Sequence, residues 1–135
     1  MDSRELIYEG IETAFIDSKN QTNLAYKPQF ISNNYKEGRK VISSIEDELS
    51  KCDSFDINVA FITESGVALL LQTLKKLEER NIPGRILTTD YLNFSDPKAL
   101  RKLASFRNIK LKMYMTTLSG DGFHTKGYIF KNGDV

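Results

Sequence analysis

Residues 56 to 115 alternate between two hydrophobic periods, and few architectures accept that order. Asp56-Ile-Asn-Val-Ala-Phe-Ile-Thr63 is short, β-branched and nearly continuous in apolar character, the pattern of a central strand covered on both faces. Glu64-Ser65-Gly66 then turns the chain into Val67, Leu70, Leu71, Leu74 and Leu77 at helical spacing, closed near Asn81 by Pro83-Gly84. Arg85-Ile-Leu-Thr-Thr89 is the next strand, and Asp96-Pro97 opens a helix carrying Leu100, Leu103 and Phe106. Asn108 to Met115 alternates, with Ile109, Leu111, Met113 and Met115 on one side and Lys110, Lys112 and Tyr114 on the other. Strand, helix, strand, helix, strand predicts an α/β fold, a mixed and mostly parallel sheet with right-handed crossovers flanked by helices. A last strand, Phe123 to Lys131, follows a Gly-Asp-Gly turn, and its direction is left open.

Upstream, Leu6, Ile7, Ile11, Ala14 and Phe15 recur at helical spacing behind Ser3, which is placed to cap the first turn. The Asn-, Ser-, Lys- and Tyr-rich stretch from Asp17 to Tyr35 has no period and reads as an irregular connection. A second helix is expected from Glu37 to Cys52, burying Val41, Ile45, Leu49 and Cys52. The expectation is one domain over residues 1–135, with 1–35 forming an N-terminal helix and irregular arm and 36–135 the α/β core.

Composition mostly excludes. Nineteen Lys and Arg against 18 Asp and Glu leave the global field nearly neutral, so a nucleic-acid or membrane partner has to be argued from local clusters. One cysteine, Cys52, and one histidine cannot assemble a four-ligand zinc site within the chain, and no metal site is expected. There is no secretory run and no stretch near the roughly 20 apolar residues that span a bilayer, so the expectation is a cytoplasmic protein with no membrane partner. No Gly-x-x-x-x-Gly-Lys-Ser/Thr loop occurs in these residues, hence no cofactor is expected here.

The single histidine is the sharpest chemical signal. In an extended strand, residues two apart point to the same side, so His124 and Lys126 would project together while Thr125 turns away. A neutral imidazole is a competent nucleophile toward phosphorus, and an ammonium beside it can neutralise a non-bridging phosphate oxygen as charge builds. Spacing alone leaves even odds that His124 is hydrogen-bonded at a strand end beside a solvated lysine.

Weaker candidates surround the pair. Ser65 and Gly66 sit where strand hands over to helix, a place whose free N–H groups favour anions, although a plain cap and a tight turn explain them as well. Glu64 could orient His124 or be an exposed loop carboxylate. Thr89, Asp90 and Tyr91 follow the second strand, where ligands of open α/β sheets gather, and Tyr91 is a candidate for the pocket rim or for an ordinary turn. From Lys98 to Lys112 there are six basic residues, Lys98, Arg101, Lys102, Arg107, Lys110 and Lys112, and no acidic one, a local footprint for a phosphate backbone or a solvated face. Tyr114 nearby is of a type that stacks on bases.

Val59-Ala-Phe-Ile-Thr-Glu-Ser-Gly66, Gly84-Arg-Ile-Leu-Thr-Thr-Asp-Tyr-Leu-Asn93, Asp96-Pro-Lys-Ala-Leu-Arg101 and Phe123-His-Thr-Lys-Gly-Tyr-Ile-Phe130, with Thr13-Ala-Phe-Ile-Asp17, together resemble the phospholipase D-like domain. More narrowly, they resemble the version at the N-terminus of bacterial superfamily II DNA helicases and restriction-type proteins, and the resemblance covers nearly the full chain. It implies a mixed sheet between helices and a metal-independent reaction through a phosphohistidine, with His124 as nucleophile and Lys126 as phosphate clamp. A second motif histidine, from a partner domain or the other subunit of a homodimer, would protonate the leaving oxygen. The resemblance also implies DNA as partner, and a downstream helicase motor that would bring ATP and Mg. Two departures stand out. The family's Asp five residues after the lysine is Lys131 here, with Asp134 off register, and the Gly-Ser or Gly-Asn segment that follows in the family does not appear before Val135. The core is accordingly expected to be incomplete at its C-terminus, and this fragment to be weakly active or inactive alone.

Three functions are therefore weighed: a nuclease-type phosphodiesterase acting on DNA, a non-catalytic DNA-binding or assembly module retaining the fold, and a lipid-directed phosphodiesterase. The last lacks any membrane-directed amphipathic stretch.

Overall fold

The computed structural model describes residues 2–15 and 29–133, in two compact units, Met1–Val41 and Ile42–Val135. In the first unit, α1 runs over Ser3–Phe15. Its cap is Asp2 rather than Ser3: the Arg4 N–H donates to Asp2 Oδ1 at 3.5 Å while Glu5 Oε2 accepts from the Asp2 N–H at 3.2 Å, a reciprocal capping box. Part of the irregular connection expected from Asp17 to Tyr35, and the quoted Ile16-Asp17, lie outside the described residues. Downstream, Asn34 and Arg39 form an antiparallel bridge about a turn whose Gly38 has φ 67°, a conformation that favours glycine. This turn occupies residues assigned from sequence to the start of the second helix. α2 consequently begins later than expected and spans Val41–Lys51, with the Val41 N–H bound to Asn33 Oδ1 at 2.9 Å.

The second unit is the α/β core. β1 (Ser54–Val59) is followed by α3 (Glu64–Glu79), β2 (Gly84–Thr89), a 3-10 turn (Tyr91–Asn93), α4 (Pro97–Ala104), β3 (Ile109–Tyr114), a short α5 (Thr116–Ser119) and β4 (Lys126–Lys131). The four strands form a mixed sheet of order β3-β2-β1-β4, parallel between β1, β2 and β3 and antiparallel between β1 and β4. The left-open direction of the last strand is thus antiparallel. Asp53 ties that pairing off: its N–H donates to the Lys131 carbonyl at 2.7 Å and its Oδ2 accepts from the Gly133 N–H at 2.8 Å.

Local chemistry explains the element ends. Asp96 caps α4 by accepting from the Lys98 N–H at 2.7 Å, with Pro97 at the first helical position where no N–H is needed. Thr63, not Ser65, caps α3, its Oγ1 accepting from the Gly66 N–H at 3.2 Å. Glu64, Ser65 and Gly66 therefore lie in the first turn of the helix instead of in a turn before it. Two expected strands are shorter than their apolar runs. β1 stops at Val59, and β4 starts at Lys126, three residues after Phe123.

Register sorts the sheet into two unlike faces. Phe55 and Ile57 of β1, Ile86 of β2 and Ile109 of β3 share one face, and all are buried with Leu49, Cys52, Leu74, Leu77, Ala99 and Leu103 of the helices. α2, α3 and α4 thus cover one side. The other side carries Asp56, Asn58, Arg85, Leu87, Lys110, Lys112 and Ile129, and no described helix of residues 42–133 packs on it. The expectation that β1 is covered on both faces therefore does not hold in this unit: its second face carries the half-buried Asp56 and Asn58. No described helix is long and apolar enough to cross a membrane.

Candidate functional site

The parallel strands β1 and β2 end on the same edge of the sheet, and β4, running the other way, starts there. Ligands of open α/β sheets collect at such an edge because loops from several strands converge on it. The loops here are held by a small buried hydroxyl network. The Ala60 carbonyl accepts from Thr89 Oγ1 at 2.7 Å and from the Thr89 N–H at 3.3 Å, and the buried Thr88 hydroxyl lies 3.5 Å from the same oxygen. Ser95 Oγ donates to the Thr89 carbonyl at 3.2 Å and accepts from the Ile62 N–H at 3.3 Å. Each buried hydroxyl has a partner, so the network fixes the strand exits without leaving a polar group stranded.

On that footing three aromatic rings form a wall. Phe61 follows β1, Tyr91 and Phe94 follow β2, and their rings meet edge to face, Phe61–Phe94 at 5.8 Å and Tyr91–Phe94 at 6.2 Å between centroids. The turn that carries them is costly backbone, with Leu92 at φ 48° and Asn93 at φ 55°, about 1 kcal/mol or more for a non-glycine residue.

His124 leans on this wall, 5.8 Å from Tyr91 and 6.2 Å from Phe61. Lys126 Nζ lies 3.4 Å from His124 Nδ1 and 3.3 Å from the His124 carbonyl oxygen, and it stands 5.4 Å from the centroid of Phe61. His124 itself is in the loop before β4, so the two side chains meet by folding back on each other and not by the strand alternation expected from the sequence. Both are exposed to solvent. An ammonium has only protons to give, so Nδ1 is the acceptor of this contact and the ring proton of a neutral His124 sits on Nε2.

Asp90 anchors the loop that delivers His124. Its Oδ1 accepts from the Thr116 N–H at 2.7 Å and the Thr116 hydroxyl at 2.5 Å, and its Oδ2 accepts from the Thr117 hydroxyl at 2.9 Å. The Thr116 hydroxyl foremost, with the neighbouring donors, holds the Asp90 carboxyl down at about 2.

The other residues singled out from the sequence are distributed. Tyr91 stands against His124. Ser65 Oγ pairs with Thr63 Oγ1 at 3.3 Å and the Gly66 N–H is taken by the Thr63 cap, so neither is directed to His124 by the contacts described. Glu64 is exposed, with no described contact to His124. The basic run is divided. Lys98, Arg101 and Lys102 are on α4, in the helix layer, and Arg107 is bound to Glu78, its N–H at 2.8 Å and its Nε at 3.3 Å from Oε1. Lys110 and Lys112 lie on the opposite, open face of the sheet. Phe61 and Phe94 were not foreseen as members of the site, because they come from two loops that only the sheet brings together.

No protein-family model matches the chain, and no curated protein matches it.

Proposed function

We propose that this chain is a phospholipase D-like phosphodiesterase domain acting on DNA, the N-terminal part of a helicase or restriction protein, with His124 as nucleophile and Lys126 as phosphate clamp. The observation that carries the reading is the 3.4 Å approach of Lys126 Nζ to His124 Nδ1 at the strand-exit edge of the sheet. A phosphate oxygen draws the ammonium off the ring, because an anion is a stronger partner for it than a neutral imidazole. Nδ1 is then free to take the ring proton and Nε2 to attack phosphorus, while the lysine neutralises the non-bridging oxygen. As the N–P bond forms, the P–O bond to the leaving strand breaks, a second histidine from a partner subunit or domain protonates the departing oxygen, and water then attacks phosphorus to release the phosphate from His124.

One observation favours a non-catalytic DNA-binding module instead. Lys131 replaces the motif carboxylate, and His124 has no carboxylate partner among the described residues to hold a proton on Nδ1. The two readings part in one experiment: cleavage of end-labelled DNA in chelator by the full-length protein and its His124→Ala form, with acid-labile phosphohistidine trapped in parallel. Cutting that depends on His124 and a trapped adduct support the enzyme. Unchanged cutting in His124→Ala removes His124 from the chemistry, and binding without cutting in both forms leaves the module.

A further inference from the structure

The open face of the sheet holds a groove of about 790 Å³ across β3, β2, β1 and β4. Its register places Lys110, Arg85, Asp56 and Ile129 in one row and Lys112, Leu87, Asn58 and Gly127 in the next. The rows differ in charge across the sheet. Arg85 is spent on Asp56 in a bidentate pair at 2.5 and 2.6 Å, which holds the Asp56 carboxyl below its usual range chiefly through the arginine hydrogen bond. Lys110 and Lys112, both exposed, have no described partner and line the β3 side alone. Toward β4 the surface turns apolar, with Ile129 68% exposed, and Tyr114 stands 39% exposed on the same face of β3.

We propose that this face binds single-stranded nucleic acid, with the backbone phosphates on Lys110 and Lys112 and bases laid over Leu87 and Ile129. Cations along one margin and apolar, aromatic surface beside them match an unpaired strand, which offers charge on one edge and bare base faces on the other. A duplex presents charge on its outside and hides those faces. The groove ends at Thr125, Lys126 and Gly127, the residues that follow His124 in the chain. The inference rests on the nucleic-acid reading but is tested apart from it.

Binding is measured by anisotropy of a labelled oligothymidylate and of a mixed-sequence single strand in chelator, using the His124→Ala form of the full chain. Two lysine contacts predict that raising salt from 50 to 200 mM weakens single-strand binding about 7-fold. Lys110→Gln/Lys112→Gln, checked for unchanged circular dichroism, should bind more weakly and lose that salt dependence. Equal or tighter binding of duplex, or an unchanged salt slope in the double variant, overturns the proposal. So does self-association of the chain through this face in place of oligonucleotide binding. If the face binds as stated and His124-dependent cutting is absent, the enzymatic reading fails alone; if cutting persists while the lysine variant binds normally, the groove fails alone.

Discussion

Gly84 opens β2 directly opposite Phe55 of β1, and the Phe55 ring fills the space a side chain would need. A methyl at Gly84 would stand 2.5 Å from both Cε1 and Cε2 of that ring, and closer to Cζ. Carbon atoms rest about 3.5–4.0 Å apart, so the ring or the strand has to move by roughly 1 Å or more. Phe55 is buried in the core cluster and has little room to retreat. Overpacking of this kind costs about 1–3 kcal/mol, and the entropy that alanine removes from the unfolded chain returns about 0.4–1 kcal/mol. Gly84→Ala is therefore expected to destabilise by about 1–2 kcal/mol, or roughly 4–16 °C in Tm for a unit of this size. Urea unfolding followed by circular dichroism measures it. The cause is isolated by a double-mutant cycle with Phe55→Leu. That change is destabilising by itself, but in its background the alanine should become neutral or mildly stabilising. Additive losses from the two changes would refute the steric account, since the penalty would not then come from the ring.

Three further outcomes follow from the same physics. Cys52 is fully buried and burial pushes its thiol up, so a thiol reagent should modify it only at the rate of unfolding, and rapid labelling under native conditions would contradict its placement. Asp96→Ala removes the cap of α4 and should cost about 1 kcal/mol in urea unfolding, while Ser65→Ala, which removes no cap, should cost less; equal losses would count against Thr63 as the cap of α3. Asp90 is held at about 2, below its ordinary 3.8, so its contribution is complete above the unfolded value and fades as pH falls through about 4 to 2. The wild-type urea midpoint should thus fall more steeply over that range than that of Asp90→Asn, and parallel curves would show that the latch does not exist.

The alternation of strand and helix was legible in the sequence because period is a local property. Val67, Leu74 and Leu77 lie on the buried side of α3 for the same reason that they recur at helical spacing. Element ends were less legible, since Thr63 and Ser65 are both capping residues and only backbone geometry chooses between them. The open face was hidden for a different reason: Asp56-Ile-Asn-Val reads as an interior strand, yet Asp56 answers Arg85, 29 residues away, across a solvent-facing sheet. The basic run illustrates the limit of linear reading. Six cations within fifteen residues look like one patch, but a helix and a strand separated by a turn can turn their outer faces in opposite directions, and α4 and β3 do. The aromatic wall behind His124 was out of reach because its members come from two loops that only the sheet brings together.

The division of cations bears on how the proposed site works. Lys126 has three weak partners, the His124 ring nitrogen, the His124 carbonyl oxygen and the face of Phe61. A cation over an exposed ring gains about 0.5–1 kcal/mol, far less than a desolvated phosphate offers. The resting contacts hold the ammonium in place without satisfying it, so it remains available at low cost to an arriving anion. Arg85 is the opposite case, engaged in two short carboxylate bonds and electrically silent toward a ligand. Of the basic residues facing the groove, Lys110 and Lys112 share the availability of Lys126, and in the proposal they hold the phosphates along β3. Charge that is lightly held, rather than charge that is abundant, marks the path proposed for a phosphate chain on a protein whose net charge is only +1.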